Sequence, residues 1–259
     1  MDSNTLEWDF CPEESKRLVR NVWCRKGSVS VIIAFMRLCP EIVSLCIAGG
    51  DFYRIILRMI NRHGVSDDDI GDGIDDDIRN QARELTFAGM SCTPRELHFH
   101  PNSNKSQFNH LFTISQQSSY RDWASFAAGF LGGITHIFLP PVNYQRVDRF
   151  VQRFPCLTHL TIPYTSTNVN QLSDLRPSLC LPNLQMLVLA VAMDRYTTYA
   201  FWFAECWVRT ARRDGFRVYL VQYAFNDDDA RIQWEEDMRG GANVWERAVD
   251  HTEDWEMVR

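Results

Sequence analysis

FPCLTHLTI at residues 154–162 and LPNLQMLVL at residues 181–189 are two copies of one short phrase. Each copy places Leu or Ile two, five and seven residues after its proline. The last two of these positions lie two residues apart, which is the spacing of one face of a β-strand. CPEIVSLCI at residues 39–47 and LGGITHIFL at residues 131–139 have the same spacing. Four copies of one strand phrase predict a repeat architecture.

Segments with a helical spacing of apolar residues lie between the strand phrases. Gly49 and Gly50 turn the chain after the first phrase, and Phe52 and Ile55 then begin an apolar stripe. A strand followed by a helix, repeated along the chain, favours an α/β fold. The predicted helices cover residues 12–23, 52–60, 120–131, 147–154 and 196–214, and the further predicted strands cover residues 94–100 and 216–223.

The spacing of the strand phrases indicates the class of repeat. Positions 132, 155 and 182 are equivalent in three consecutive phrases, and their spacing falls in the range of about 20 to 29 residues typical of leucine-rich repeats. We therefore expect an α/β fold, an irregular leucine-rich-repeat-like solenoid with parallel strands on the concave side and helices on the convex side. Residues 1–225 would form this domain, and residues 226–259 a helical C-terminal cap of the same domain.

Two helices are expected after the last strand. Gly240 and Gly241 end the first of them, and Trp245, Ala248 and Thr252 lie on one face of the second. The terminal unit of a repeat array leaves an apolar edge uncovered. We expect this tail to cover that edge, and a partner-binding helix is the alternative.

The predicted helix before the last strand is apolar on more than one side. Tyr199, Phe203 and Trp207 share one face, whereas Phe201 and Trp202 lie elsewhere on its circumference. Such a helix is buried on several sides, or its extra aromatic residues form a contact patch. We expect burial.

The phrases FPCLTHLTI, LGGITHIFL and LPNLQMLVL, with VWERAVDHTEDWE at residues 244–256, resemble the leucine-rich-repeat superfamily. They are similar in particular to the leucine-rich half of fungal F-box-like proteins. The resemblance covers residues 38–223 and the tail. It implies a protein-recognition scaffold that acts as the substrate-receptor part of a ubiquitin-ligase assembly.

Two features depart from that family. The asparagine that follows the last leucine of a regular repeat is missing, and Gly49, Val142 and Thr165 occupy the stretch instead. The first residues also lack the leucine-proline opening of an F-box. The expected scaffold therefore lacks its F-box, the half that binds the ligase adaptor.

Side chains that alternate with the inward leucines are expected on the concave face of neighbouring parallel strands. Protein partners are expected to bind there. The contact residues we predict are His98, His136, Phe138, His159, Met186 and Tyr219. The alternating pairs are Ser44 and Cys46, Glu96 and His98, His136 and Phe138, His159 and Thr161, Met186 and Val188, and Arg217 and Tyr219.

Three of these residues are histidines, expected at the same height on adjacent strands. With Glu96 and His100 nearby, His98, His136 and His159 suit zinc or nickel, since imidazole is a ligand for both. A metal-binding protein is therefore the alternative function. The plainer interpretation is a polar Thr-His pair on an exposed strand face, without a metal or another cofactor.

No catalytic signature is present, so we expect a protein that is not an enzyme. The sequence contains no Gly-x-Ser-x-Gly, no phosphate loop, no dinucleotide glycine fingerprint and no His-Glu-x-x-His. Seven aspartates at residues 67–77 do not fit a calcium loop, because Ile70 and Arg79 fall on ligand positions. A solvated acidic loop explains them.

Charge and composition limit the partners and the compartment. The net charge of -6 disfavours nucleic acid as a partner, because binding phosphates needs a basic surface. No apolar run approaches the ~20 residues of a membrane span, and the polar start lacks a signal-peptide pattern. The 8 cysteines show no paired spacing and suit reduced thiols. We expect an intracellular protein, cytoplasmic or nuclear, that is a monomer or part of a hetero-complex.

Overall fold

The computed structural model describes residues 19–24, 32–33, 36, 38–39, 41–48, 52, 55, 94–99, 131–140, 144–192, 198–224 and 227–257. The predicted acidic loop, His100 and nearly all of the helix predicted over residues 120–131 lie outside the described residues.

In the described part of the chain, seven parallel strands form one sheet, in the order in which they occur along the sequence. Each strand pairs in parallel with the next. The prediction of an α/β fold with parallel strands is confirmed. The strands are β1 Asn21–Cys24, β2 Ser44–Ile47, β3 Glu96–Phe99, β4 His136–Phe138, β5 His159–Tyr164, β6 Met186–Ala192 and β7 Val218–Tyr223.

The first strand corrects a prediction. Residues 12–23 were expected to be helical, but Asn21–Cys24 forms β1 and pairs with β2. Val22 lies opposite Leu45 and is buried. The apolar residues of this short segment fit either period, so pairing with β2 decides its conformation.

The described helices are short near β5 and long towards the C-terminus. The helices predicted over residues 147–154 and 196–214 are present with slightly different bounds. Among the described residues, no helix has the length and apolar character needed to cross a membrane. The helices are α1 Val147–Val151, α2 Arg176–Leu179, α3 Thr198–Arg213, α4 Asp227–Met238 and α5 Val244–Met257, with 3-10 helices at Tyr144–Arg146 and Ser166–Leu175.

One side of the sheet, which we call the core face, contains one aliphatic residue from each strand in register. Ala204, Val208 and Ala211 of α3 pack against the same cluster. Each fully buried aliphatic side chain of this kind contributes about 1.5–3 kcal/mol. The inward leucines of the strand phrases therefore form the main core. The row consists of Val22, Leu45, Leu97, Ile137, Leu160, Leu187 and Val218.

The opposite side of the sheet, which we call the tail face, is covered by α4 and α5. The ring of Trp234 in α4 lies 5.2 Å from that of Trp23 in β1. Trp245 and Ala248 of α5 pack against the residues of β4, β6 and β7 on this face. Helices therefore lie on both sides of the sheet, whereas the sequence predicted repeat helices on one side and a tail that covers only an edge.

Apolar residues at the alternate strand positions explain this difference. Val188 and Ala190 of β6 and Val221 of β7 are buried on the tail face. Strands that are apolar on both faces need a cover on both faces. The last strands therefore require the tail to fold back over them.

Helix α5 also contacts the open edge of β7. Thr252 Oγ1 accepts a hydrogen bond from the backbone N–H of Leu220 at 2.9 Å. The same hydroxyl donates to the carbonyl of Ala248 at 2.7 Å. Thr252 is buried, so α5 is fixed along the last strand of the sheet.

Helix α3 leaves aromatic side chains on the surface of the described structure. Tyr199 is 73% exposed and Trp202 is 49% exposed. Their rings contact each other at 6.2 Å, and Phe203 lies 5.0 Å from Trp202. The expected burial of the extra aromatics is wrong for Trp202, which forms a surface patch with Tyr199. Phe201 is partly buried and packs against the core.

Candidate functional site

The starts of β3, β4 and β5 place Glu96, His136 and His159 side by side on the tail face. Met186 of β6 follows in the same row. His98 lies two residues further along β3, opposite Phe138. The expectation of three histidines at one height is therefore wrong for His98, because only β4 and β5 have the Thr-His pair at the same strand position.

His136 and His159 stack face to face. Their ring centroids are 4.2 Å apart, and the planes differ by 9°. Equivalent side chains on neighbouring parallel strands lie about 4.8 Å apart, which permits this stacking. Both histidines are half-buried. The pair is thus a direct product of the repeated Thr-His phrase.

Each histidine contacts the hydroxyl of the threonine before it. Thr135 Oγ1 lies 2.7 Å from Nδ1 of His136, and Thr158 Oγ1 lies 2.8 Å from Nδ1 of His159. Arg95 Nε also donates to Thr135 Oγ1 at 3.4 Å. The threonines therefore fix the orientation of both imidazole rings.

Trp245 of α5 packs against the histidines of the tail face. Its ring centroid lies 4.7 Å from that of His136, 6.0 Å from that of His159 and 5.7 Å from that of His98. All three contacts are steep, with interplanar angles of 65° to 79°. Trp245 is itself buried, so one aromatic side chain contacts His98, His136 and His159 together.

A capping box positions Trp245 at the start of α5. Asn243 Oδ1 accepts hydrogen bonds from the backbone N–H groups of Trp245 at 3.1 Å and Glu246 at 2.9 Å. Glu246 Oε2 accepts one in return from the N–H of Asn243 at 2.9 Å. This reciprocal arrangement satisfies the free donors of the first turn and fixes where the helix begins.

A buried ion pair joins α4 to α5. Arg247 Nη2 donates to Asp237 Oδ2 at 3.3 Å, and the carboxylate is almost fully buried. Burial raises the pKa of Asp237 to about 6, although Arg247 and His98 oppose this shift. The tail therefore places Asp237, a carboxyl group that titrates in mildly acidic solution, close to His98.

The histidine pair is neutral at neutral pH. Burial is the main cause that lowers the pKa of His136 to about 4, with smaller contributions from the neighbouring His159, Arg95 and His98 and against the effect of Glu96. Burial and the nearby Arg95 also lower the pKa of His159. These environments disfavour an additional positive charge on either ring.

Glu96 is ionised in the same row. Burial alone would raise its pKa, but the contact with His98 and the proximity of His136 and Arg95 lower it below the usual value. Glu96 Oε2 lies 3.7 Å from His98 Nε2. The row therefore combines one carboxylate with two neutral imidazoles.

The six residues predicted to bind a partner fall into two groups. His98, Phe138 and Met186 are only 5%, 3% and 6% exposed, because α4 and α5 cover them. His136, His159 and Tyr219 are half-buried, and Arg212 lies over the Tyr219 ring at 4.8 Å. The first group was expected on an open face. Its side chains instead hold the tail in place, and partner binding by the second group stays a prediction.

A small cavity lies between the sheet and α4. It measures about 10 Å³, which is the space of about one water molecule. Its lining includes His98 and the indole of Trp234, whose Nε1 has no hydrogen-bond partner among the described residues. The cavity suits a buried water and is too small for an organic ligand.

A metal ion finds little support in this geometry. Across the described residues, no group of three or more His, Cys, Asp or Glu side chains is arranged to hold one. The lone pairs of an imidazole lie in the ring plane, so the stacked rings of His136 and His159 direct them in parallel. Two parallel lone pairs do not converge on one ion.

No family model, curated protein or solved structure matches this chain. Function therefore has to be argued from the residues of the site, since a fold class alone does not determine activity. The sequence indicated His136 and His159 through the repeated Thr-His pair. It gave no role to Thr135 or Thr158, although the repeat of Thr before His was visible as a signal. It placed Trp245 on the apolar face of a helix expected to cover the edge of the array, not against the histidines.

Proposed function

We propose that this protein is a non-catalytic protein-recognition scaffold with a leucine-rich-repeat-like solenoid architecture. Parallel strands in sequence order, each beside the next, are the arrangement of a solenoid, in which each unit contacts only its neighbours. Extended arrays of this kind typically present side chains of successive strands to a partner. The strand order supports the architecture, and the repeated phrases support its relation to leucine-rich repeats.

The proposed contact surface is the row at the start of β3 to β5. The carrying observation is the stacked pair of His136 and His159, which remains half-buried although Trp245 of α5 packs against it. Polar side chains that a fold holds in place but leaves partly open are candidates for recognition. Tyr219 of β7, half-buried under Arg212, is the third proposed contact. The role of the buried residues is then indirect, because they pack against α4 and α5 and hold these helices on the sheet: His98, Phe138 and Met186.

The resemblance to F-box-like proteins extends this proposal to a ubiquitin-ligase assembly. The partner would be a substrate of such an assembly, or an adaptor that replaces the F-box not seen in the sequence. Such a receptor works inside the cell, in the cytoplasm or nucleus, as part of a hetero-complex. The leucine phrases and the tail carry this extension.

A quantitative pull-down tests the recognition role. The tagged protein is compared with the double variant His136→Asp, His159→Asp, which places two negative charges in the row. The matched control is Cys206→Asp, Thr210→Asp, which adds the same charge at two exposed positions of α3. All three proteins are first checked for equal folding by circular dichroism.

Proteins recovered with the wild type and the control, but lost with the histidine variant, support the proposal. Recovery of a ligase adaptor among them supports the extension to a ubiquitin ligase. A set of bound proteins that the histidine variant leaves unchanged contradicts the proposed surface.

Metal binding is the second candidate function. One observation favours it: a threonine hydroxyl contacts Nδ1 of both His136 and His159, and contacts of that kind orient imidazole ligands in metal sites. Elemental analysis of purified protein separates the two functions. Stoichiometric zinc or nickel that is lost in His136→Ala supports a metal site, whereas metal-free protein that still binds its partner supports recognition.

A further inference from the structure

The position of each threonine hydroxyl proton determines the tautomer of the neighbouring histidine, and so whether its Nε2 can donate a hydrogen bond to a ligand. Thr158 Oγ1 lies 2.8 Å from Nδ1 of His159 and 3.1 Å from the carbonyl oxygen of Thr135. That carbonyl already accepts from the backbone N–H groups of Thr158 at 2.8 Å and His159 at 3.0 Å. The Thr158 hydroxyl could donate to either partner, but the two lone pairs of that carbonyl are already used and the contact with Nδ1 is the shorter one. The hydroxyl proton is therefore assigned to the hydrogen bond with Nδ1 of His159.

The same reasoning applies one strand earlier. Thr135 Oγ1 lies 2.7 Å from Nδ1 of His136 but 3.4 Å from the carbonyl of Arg95. The Arg95 carbonyl also accepts two backbone N–H groups, those of Thr135 at 2.9 Å and His136 at 3.2 Å. Arg95 Nε donates to Thr135 Oγ1. The hydroxyl proton of Thr135 therefore goes to Nδ1 of His136.

Both rings are then in the tautomer that has its proton on Nε2. A neutral imidazole that accepts at Nδ1 donates at Nε2. Neither Nε2–H of this pair has a hydrogen-bond acceptor among the described residues, and both rings are half-buried. With the planes only 9° apart, the stacked rings hold two donor groups in nearly parallel planes.

Arg95 adds a permanent positive charge close to the histidine pair. Its side chain is exposed, its Nε is bound to Thr135, and its two terminal nitrogens make no hydrogen bond to a described residue. The other groups around the pair are Glu96 and His98 on the sheet and Trp245 on α5. Glu96 Oε2 lies 3.7 Å from His98 Nε2, which is too far for a hydrogen bond.

We propose that Arg95, His136 and His159 form a binding site for one carboxylate of a protein partner. This inference rests on the proposed recognition function and names the chemistry of its contact. Two imidazole N–H groups and a guanidinium form charge-assisted hydrogen bonds to a carboxylate, which has two acceptor oxygens. The negative charge of Glu96 in the same row limits the site to a singly charged group rather than a polyanion.

Nitrogen NMR tests the first step. In protein labelled with ¹⁵N at histidine, both His136 and His159 are expected to show the tautomer protonated at Nε2. The variant Thr158→Val removes the hydroxyl that holds His159 and is expected to mix its tautomers while leaving those of His136. Protonation of either ring at Nδ1 in the wild type overturns the proposal and supports the metal site instead.

Titration with acetate tests the binding step, with acetamide as a neutral probe of the same shape. Acetate is expected to shift the Nε2 resonances of both histidines in a saturable way, and acetamide is not. In Arg95→Gln the affinity for acetate is expected to fall about tenfold, which is the effect of losing one charge-assisted contact. Arg213→Gln, at an exposed position of α3, serves as the control and retains the affinity.

Two further probes distinguish the source of the carboxylate. N-acetylglycine offers a C-terminal carboxylate, and the N-methylamide of N-acetylaspartate offers that of a side chain. Tighter binding of N-acetylglycine than of acetate indicates a C-terminal carboxylate. Tighter binding of the aspartate derivative indicates a side-chain carboxylate. Equal responses to acetate and acetamide, or no response in folded protein, overturn the proposal.

These measurements need no protein partner, so their failure leaves the pull-down result intact. A partner that is lost with the double histidine variant but binds Arg95→Gln normally contradicts the carboxylate site alone. A carboxylate site that titrates as expected, in a protein whose partners ignore the histidines, contradicts only the recognition role.

Discussion

The two faces of the sheet are built on different principles. The core face repeats one aliphatic residue per strand, from Val22 to Val218, and these residues are buried in one cluster. The tail face is apolar near β6 and β7 but polar near β3 to β5, where Glu96, His136 and His159 lie in register. Burying polar groups costs free energy unless they are paired. The core face therefore stabilises the protein. The polar residues of the tail face contribute less to stability and make specific contacts instead.

The buried polar atoms of the tail face show this contrast atom by atom. The hydroxyl of Thr161 in β5 and the indole N–H of Trp245 are buried, with no hydrogen-bond partner among the described residues. Leu160, the neighbour of Thr161 on the other face, is fully buried in the aliphatic row. One strand thus has a stabilising residue on one side and a costly one on the other.

The largest expected effect comes from the core face. Leu160→Ala removes a fully buried side chain from the middle of the sheet and is expected to lower the free energy of unfolding by about 3 kcal/mol. Thr161→Val, one residue away on the tail face, is expected to be neutral or stabilising, because it removes a buried hydroxyl without a described partner. Urea unfolding followed by circular dichroism measures both. A loss from Thr161→Val as large as that from Leu160→Ala contradicts the contrast.

Trp245→Ala tests how α5 acts on the histidines. The loss of stability is expected to be about 2 kcal/mol, less than for a purely apolar site, because the buried indole N–H has no described partner. Burial is the main cause of the low pKa of His136, so that pKa is expected to rise from about 4 towards 6.5. Proton NMR titration of the His136 ring measures this change. Leu160→Ala is the control and leaves the titration of the folded protein unchanged.

Acid has opposing effects on the two titrating parts of the tail face. Between pH 6.5 and about 4, His136 is protonated in the unfolded chain but not in the folded protein. The free energy of unfolding therefore falls as the pH falls through this window. Asp237 acts the other way: its folded pKa of about 6 lies above the usual aspartate value of 3.8, so the folded state gains stability as the pH falls through this window.

Asp237→Asn removes the opposing contribution. The loss of stability from pH 7 to pH 4.5 is expected to be larger in this variant than in the wild type by about 1 kcal/mol. Urea unfolding at both pH values gives the two differences, and comparing differences cancels the cost of losing the contact with Arg247. A smaller acid loss in Asp237→Asn contradicts the assignment.

The smallest effect is expected on the far side of α3. Tyr199→Ser and Trp202→Ser alter exposed side chains and are expected to change the free energy of unfolding by less than about 0.5 kcal/mol. Thermal unfolding measures this. A loss above about 1 kcal/mol would show that another part of the chain covers these aromatic rings.

The local pattern was enough to predict the core face. Leu160, Leu187 and Ile137 recur at one position of a strand phrase, and the period of two residues alone places them on one side of a strand. The same pattern also predicted that His136 and His159 are neighbours. Local periodicity could not assign β1, since its few apolar residues fit a helix as well as a strand.

What covers the tail face could not be predicted in this way. The contact of Trp245 with His136 joins residues more than a hundred positions apart, and nothing in the local sequence of β4 indicates it. The burial of His98 and Phe138 follows from that docking. The exposed aromatics of α3 were missed for the same reason, because a helix pattern shows which residues share a face but not what packs on it.

The hydrogen bond from the N–H of Leu220 to Thr252 has a consequence for self-association. An uncovered edge strand is a template on which strands of other chains pair, which leads to aggregation and fibre growth. Helix α5 occupies that edge of β7 and also presses Trp245 onto the histidines. A ligand or variant that displaces α5 therefore exposes the histidines and the edge of β7 at the same time. Greater exposure of the binding site is then accompanied by a greater tendency to aggregate.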